Sequence, residues 1–221
     1  MLDFVCQAQE KGIVPVDDQL LEQLNNDENV AKCYFLKLRW PNYQRTCPRC
    51  GSREFSWRRS GTKRACGRCR FEYGEFTGTW LGGSKLEFTY WTKIIDGFVR
   101  GLTPQGMHIK YGIRQPTAWS CMRTIRLAIE ADALRPVTLD EIKLLEAGDA
   151  AKRSTYDEFQ KSLAKHHGVK EAAWPLYYHE FEFRKKTGDA DMFEEVVKLL
   201  VRLKVSMPNP GSGKAKKTKR L

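Results

Sequence analysis

Two close cysteine pairs constrain this chain more than any other feature. Cys47-Pro-Arg-Cys50 is followed, after fifteen residues, by Cys66-Gly-Arg-Cys69. Each Cys-x-x-Cys folds as a tight knuckle aiming two sulfurs at one point, and the intervening stretch is long enough for a hairpin that returns the second pair to the first. Four thiolates so arranged suit one tetrahedral Zn²⁺ held as a structural ion, so the spacing predicts a zinc ribbon. A redox motif needs only one such pair, and a secreted disulfide scaffold carries denser cysteines. Cys6, Cys33 and Cys121 fall in no pair and read as small buried apolar groups.

Charge gives the ribbon an expected task. Residues 31–70 carry twelve basic side chains against one acid, Glu54, a balance as large as the +11 of the whole chain. Arg45, Arg49, Arg53, Arg58, Arg59, Lys63, Arg64, Arg68 and Arg70 are the expected DNA contacts within it. With Phe55 and Trp57 interleaved, such a hairpin can lie along a phosphate backbone, where release of condensed counterions drives association. Arginine suits this work because its guanidinium meets a phosphate through two hydrogen bonds. The duller reading is a solvated basic face that keeps the protein dissolved.

A chain of 221 residues, 41% hydrophobic, can bury a real core. The N-terminus shows no secretory pattern and no apolar run approaches the roughly 20 residues of a membrane span, so no membrane partner and a reducing compartment are expected. That compartment is the cytoplasm or nucleoid in a prokaryote and the nucleus in a eukaryote. Residues 1–30 form an acidic arm, seven acids against one base, with a short helix expected around Asp17 to Leu24 that packs Leu20, Leu21 and Leu24. The ribbon is placed at 31–83, its first part an amphipathic stretch ending at Trp40-Pro41.

Residues 84–135 read as a helix-turn-helix unit. Phe88, Trp91, Ile94, Ile95 and Phe98 recur at helical spacing, and Gly101 ends that run. Thr103 then caps a short helix with Pro104 at its first position, which Gly112 breaks. Gln115-Pro116-Thr117 opens a third helix whose Ala118, Met122, Ile125 and Ile129 face inward. Thr117, Ser120, Arg123, Thr124 and Arg126 are expected toward solvent. A helix, a tight glycine turn and a helix with polar residues near its start form the pattern that lays its second helix in the major groove. Lys85, Gln115, Thr117, Ser120, Arg123 and Thr124 are therefore candidate DNA contacts.

These residues carry a family resemblance. Arg39-Trp40-Pro41, the two cysteine pairs, Thr77-Gly78-Thr79, Ser84-Lys85, Trp91, Gly112-Ile113, Thr117-Ala118-Trp119 and Ile125-Arg126 resemble, in order and spacing, the N-terminal region of Merlin-like insertion-sequence transposases. The resemblance spans roughly residues 29–131 and implies binding of terminal inverted repeats. In that family the chemistry belongs to a following RNase H-like domain that holds divalent metal with acidic residues. A shorter likeness covers Tyr156-Asp157-Glu158-Phe159, Lys165-His166-His167-Gly168-Val169 and Glu180-Phe181-Glu182-Phe183-Arg184. Only 22 residues separate Ala131 from Ser154, where the family places most of its catalytic domain.

Asp140 and Glu141 do not restore it, because Thr138-Leu-Asp-Glu141 has the form of a capping box. No catalytic residue is therefore assigned. The expected fold is mainly α with a small β zinc ribbon, then a helix-turn-helix, then a helical C-terminal region at 136–206 and a basic tail at 207–221. His166-His167 reads as a surface pair. Phe193, Val196, Val197, Leu200 and Leu203 form an apolar stripe, expected first as core packing and second as a surface for a homo-oligomer. The expected function is non-catalytic, zinc-dependent binding of double-stranded DNA, with an intact transposase as a further partner. The alternatives are a metal-dependent transposase or nuclease using Asp140, Glu141, Asp157 or Glu158, and an RNA-binding zinc ribbon.

Overall fold

The computed structural model describes residues 16–42, 44–58, 61, 63–166 and 168–202. Leu203, His167, Arg59, Cys6 and the basic tail lie outside the described residues, and so do the sequence expectations attached to them.

Two acidic caps start the fold. Asp17 accepts the Leu20 amide at 2.7 Å and opens α1 (Asp18–Asn26), and Asp27 accepts the Asn29 and Val30 amides and opens α2 (Glu28–Arg39). Ala31, Tyr34, Phe35 and Leu38 lie on one face of α2 at three- and four-residue spacing, and all are buried. As expected, Leu24 is buried and Leu20 and Leu21 pack against the same core. α2 ends at Trp40, before Pro41.

The ribbon is inserted between α2 and the next helix. Its strands β1 (Phe55–Trp57), β2 (Arg64–Cys66) and β3 (Glu72–Tyr73) form an antiparallel sheet in that order, with Phe55 opposite Cys66 and Trp57 opposite Arg64. Three helices follow: α3 (Phe88–Val99), α4 (Pro104–Tyr111) and α5 (Gln115–Asp132). Thr103 caps α4 by accepting the Gly106 amide, and Gly112, at φ +68°, closes it in the left-handed conformation that glycine adopts without strain.

The C-terminal region contains α6 (Leu139–Glu146), α7 (Ala150–Ala164), a 3₁₀ turn (Glu171–Ala173), α8 (Trp174–Thr187) and α9 (Asp189–Val201). The capping box is formed: Thr138 and Glu141 exchange side-chain-to-amide hydrogen bonds. α6, α7 and α8 enclose a small separate cluster of Ile142, Phe159, Leu163, Tyr178 and Phe181.

α9 goes elsewhere. Its Met192, Phe193, Val196, Val197 and Leu200 are buried against α2, α3 and α5, in the same core as Phe35, Ile95, Phe98 and Ile125. Burial of each such side chain contributes about 1.5–3 kcal/mol. The stripe is therefore internal packing. The structure distributes the chain as a central core built from 16–39, 80–132 and 189–201, with the ribbon at one side and α6 to α8 at another.

Polar side chains fasten the helix ends. Glu28 accepts the Phe88 and Thr89 amides at 2.9 and 3.0 Å and so caps α3 from α2. Arg184 of α8 donates to the carbonyls of Phe98 and Val99 at the other end of α3, where a cation is favoured. Arg39 donates to the carbonyls of Val201 and Thr77, tying the end of α9 to the ribbon exit. Burial lowers the Arg39 pKa to about 10, against the raising influence of Glu75.

Cys121 is a buried free thiol, as expected. Cys33 is equally buried, but it is held in a disulfide, contrary to its reading as an unpaired cysteine.

Candidate metal centre and nucleic-acid interface

The two knuckles are built alike. In the first, the Gly51 amide donates to the Cys47 carbonyl at 2.9 Å, with Gly51 at φ +73°. In the second, the Arg70 amide donates to the Cys66 carbonyl at 3.0 Å, with Arg70 at φ +59°. Both turns thus end, four residues after their first cysteine, in left-handed backbone. A third hydrogen bond, from the Gly67 amide to the Glu54 carbonyl, locks one knuckle to the strand leaving the other.

The four sulfurs converge within 4.8 Å of one another, with Cys47 Sγ 3.7 Å from Cys69 Sγ and Cys50 Sγ 3.5 Å from Cys66 Sγ. A tetrahedron of thiolates at about 2.3 Å from a central ion has sulfur-to-sulfur edges of about 3.8 Å, so this arrangement fits a closed four-sulfur metal site. Cys47 and Cys66 are buried, and Tyr73 and Phe71 pack beside them. Burial pushes the Cys47 thiol up to about 12. At Cys66 burial also opposes ionisation, but hydrogen bonds from the Cys69 amide, the Cys50 thiol and the Arg68 amide prevail and hold it down to about 6.

The basic ribbon divides into two populations. Glu75 gathers Lys32, Arg45 and Arg64 at 3.3, 3.9 and 3.4 Å, and Glu72 pairs with Arg58. Arg64 is fully buried, which corrects its expected place among DNA-facing residues. Its guanidinium lies 4.2 Å from the Trp57 ring centre and 5.3 Å from that of Phe55, so these aromatics cover it. Arg49 stacks over Phe71 at 4.1 Å and Arg45 lies over Trp40 at 5.9 Å. The excess of +11 over residues 31–70 overstates the exposed charge, because Glu72 and Glu75 lie just past that window.

Arg53, Lys63, Arg68 and Arg70 are exposed, and none forms an ion pair among the described residues. Beside them Phe55 and Trp57 stand 36% and 49% exposed on the edge strand, their rings 6.1 Å apart and nearly perpendicular. Lys85 is exposed just before α3.

On α5, Gln115, Ser120 and Arg123 are exposed and Thr117 and Thr124 are half-buried. Arg126 is a correction. It is buried, with Nε 2.6 Å from Glu180 Oε2, and Glu180 also pairs with Arg184 at 2.9 Å. Burial opposes ionisation of Glu180, but the Arg126 and Arg184 guanidinia outweigh it and hold the carboxyl below the usual carboxylate range. Arg126 sits four residues after Met122, on the apolar side of the helix, and that register was the available sign of its burial. His166 is half-buried: its ring lies 5.1 Å from that of Tyr177, and burial lowers its pKa.

Comparison with known proteins gives one result. Residues 26–72 match the transposase zinc-ribbon domain. That span begins at Asn26, the last residue of α1, and ends in β3, so the match takes in the helix leading into the ribbon as well as the four cysteines. The ribbon is thus transposase-related. No curated protein and no solved structure matches the chain. No helix among the described residues is long and apolar enough to cross a membrane.

Proposed function

We propose that this is a zinc-dependent, non-catalytic DNA-binding protein derived from a transposase, its Cys47, Cys50, Cys66 and Cys69 holding one structural Zn²⁺ and its ribbon gripping duplex DNA. The observation that carries this reading is the transposase-related ribbon bearing Arg53, Lys63, Arg68 and Arg70, exposed and without an ion pair among the described residues, beside exposed Phe55 and Trp57. Those cations supply phosphate contacts. The exposed Gln115, Ser120 and Arg123 of α5, two turns from its N-terminus or closer, supply candidates for base contacts.

The carboxylates considered for catalysis support the non-catalytic side. Glu141 closes a helix cap, Asp157 pairs with Arg153 on its own helix, and Glu158 pairs with Lys185 across to α8. Glu141 lies on α6 and Asp157 and Glu158 lie side by side on α7, each engaged by a cap or a basic side chain, whereas two-metal phosphoryl transfer needs carboxylates converging on ions about 4 Å apart.

The test is selection of bound duplexes from a random DNA pool by the zinc-loaded protein near physiological salt, where nonspecific binding is suppressed. Enrichment of one motif, abolished by a chelator, is expected. Failure to retain duplex DNA with zinc bound would overturn the reading, as would Mg²⁺-dependent strand cleavage that disappears when Asp157 and Glu158 are replaced.

A further inference from the structure

The first half of α5 does not stand free of the molecule. It forms one wall of a cleft of about 1380 Å³ whose opposite wall is made by Lys165, His166, Val169, Lys170, Leu176 and Tyr177. Arg114 and Arg123 project from the first wall, and Lys165 and Lys170 from the second. No aspartate or glutamate is among the residues lining it, although residues 140–205 as a whole carry one more acid than bases. The cleft therefore carries these four basic side chains and no opposing carboxylate on its lining.

Two further observations point to a ligand. Trp119 lines the cleft with 56% of its surface exposed, an unusual state for so large an apolar ring. At the floor, buried Arg126 lies 4.2 Å from the Tyr177 ring centre, and its Nη2 has no hydrogen-bond partner although Nε is bound to Glu180. Aromatic faces alternating with unpaired cations are what a chain of bases and phosphates requires. The volume exceeds the roughly 300–1,000 Å³ of a small-molecule site and suits a segment of polymer. A duplex presents its bases edge-on and stacked, so it offers no free base face to Trp119.

We infer that this cleft binds single-stranded DNA, with a base stacked on Trp119, a second near Tyr177, and the backbone held by Arg114, Lys165 and Lys170. The inference rests on the proposed DNA-binding function and deepens it: the ribbon holds duplex, while the cleft receives an unpaired strand next to it, as at a frayed or nicked end.

The experiment uses the full zinc-loaded chain. Fluorescence anisotropy would compare a labelled twelve-residue oligo-dT, its ribo-U counterpart and a duplex of equal length. Trp119→Ala should weaken oligo-dT binding by about fivefold or more, since stacking of one base contributes about 1–3 kcal/mol. Trp119→Phe should retain most of the affinity, and Lys170→Glu, at an exposed position, should weaken it independently. Duplex affinity should stay within twofold for all three, while Arg68→Ala should lower it. Unchanged oligo-dT binding in both Trp119→Ala and Lys170→Glu, equal losses on single strand and duplex, or a clear preference for the ribo-oligomer would each overturn the inference. Duplex binding without any oligo-dT binding would overturn it and leave the ribbon's proposed role standing, whereas loss of all nucleic-acid binding would remove both.

Discussion

Arg70 adopts with a side chain the backbone conformation that Gly51 adopts without one. A left-handed residue other than glycine costs about 1–2 kcal/mol, part of which is returned because glycine loosens the unfolded chain. Arg70→Gly should therefore tighten metal binding by two- to fivefold in a competition titration with a chelating dye. Gly51→Ala should weaken it by a similar factor, since nothing lies within 4 Å of the added methyl and only the backbone conformation is penalised. Retention of Arg70 despite this strain fits a position where its charge is needed at the surface. Cys66→Ser should have a larger effect, because metal-binding free energy is folding free energy in so small a unit. The expected outcome is loss of stoichiometric zinc by elemental analysis and cleavage of the ribbon by trypsin, with the helices intact. The metal ligands were legible from spacing alone, because a knuckle is set by covalent proximity. Arg64 was not: its neighbours Arg59, Lys63 and Arg68 carry the same chemistry, and only the strand register places it beneath Phe55 and Trp57.

Among the elements, α3, α4 and α5 were readable, since caps, a proline at the first position and two left-handed glycines mark their ends locally. What the periodicity could not supply was the partner of each face. α5 meets α8 through Arg126, Glu180 and Arg184, a buried network whose charges look like ordinary surface residues in one dimension. Removing one member of a buried pair leaves its partner uncompensated, so Glu180→Ala should lower stability by about 3–5 kcal/mol in urea denaturation. The pH dependence follows from the sign of the shift. Glu180 binds its proton less readily folded than unfolded, so its contribution is complete above the unfolded carboxylate value of about 4.3 and is lost as pH falls through the lower folded value. Acid should thus loosen the contact of α5 with α8, and Glu180→Gln should flatten that limb of the stability profile below neutrality.

At the scale of the molecule, the contacts between duplex and ribbon should obey counterion arithmetic. Replacing Arg53 and Arg68 together should reduce the slope of log affinity against log salt by about two, since each phosphate contact contributes about 0.9. A slope unchanged within error would show that these side chains do not meet phosphates. The organisation of the C-terminal region was the least legible part. An apolar stripe at Phe193 to Leu200 announces a buried face, but whether it closes its own region, another one or a second copy depends on contacts with α2, α3 and α5, all distant in sequence. Here it closes the central core, and the Trp80 amide hydrogen-bonds to the Leu200 carbonyl at 3.2 Å. A chain cut before Asp189 should lose cooperative unfolding and bind a hydrophobic dye, whereas independent folding of 16–187 would refute the shared core.

The late position of α9 also sets a schedule. Sixty-nine residues must be added after Asp132, the end of α5, to reach Val201, the end of the helix that completes its core. At a synthesis rate of about 5–20 residues per second, the ribosome holds α2, α3 and α5 without their last partner for roughly 3–14 seconds. The metal knuckles need no such wait, since every ligand lies within 23 residues of chain, from Cys47 to Cys69. The ribbon can therefore capture its ion and become competent while the rest of the molecule is still an open half-core. Each newly made chain thus passes through an interval in which its metal centre is complete before its core is closed, and anything that meets the chain in that interval meets a different surface from the finished one.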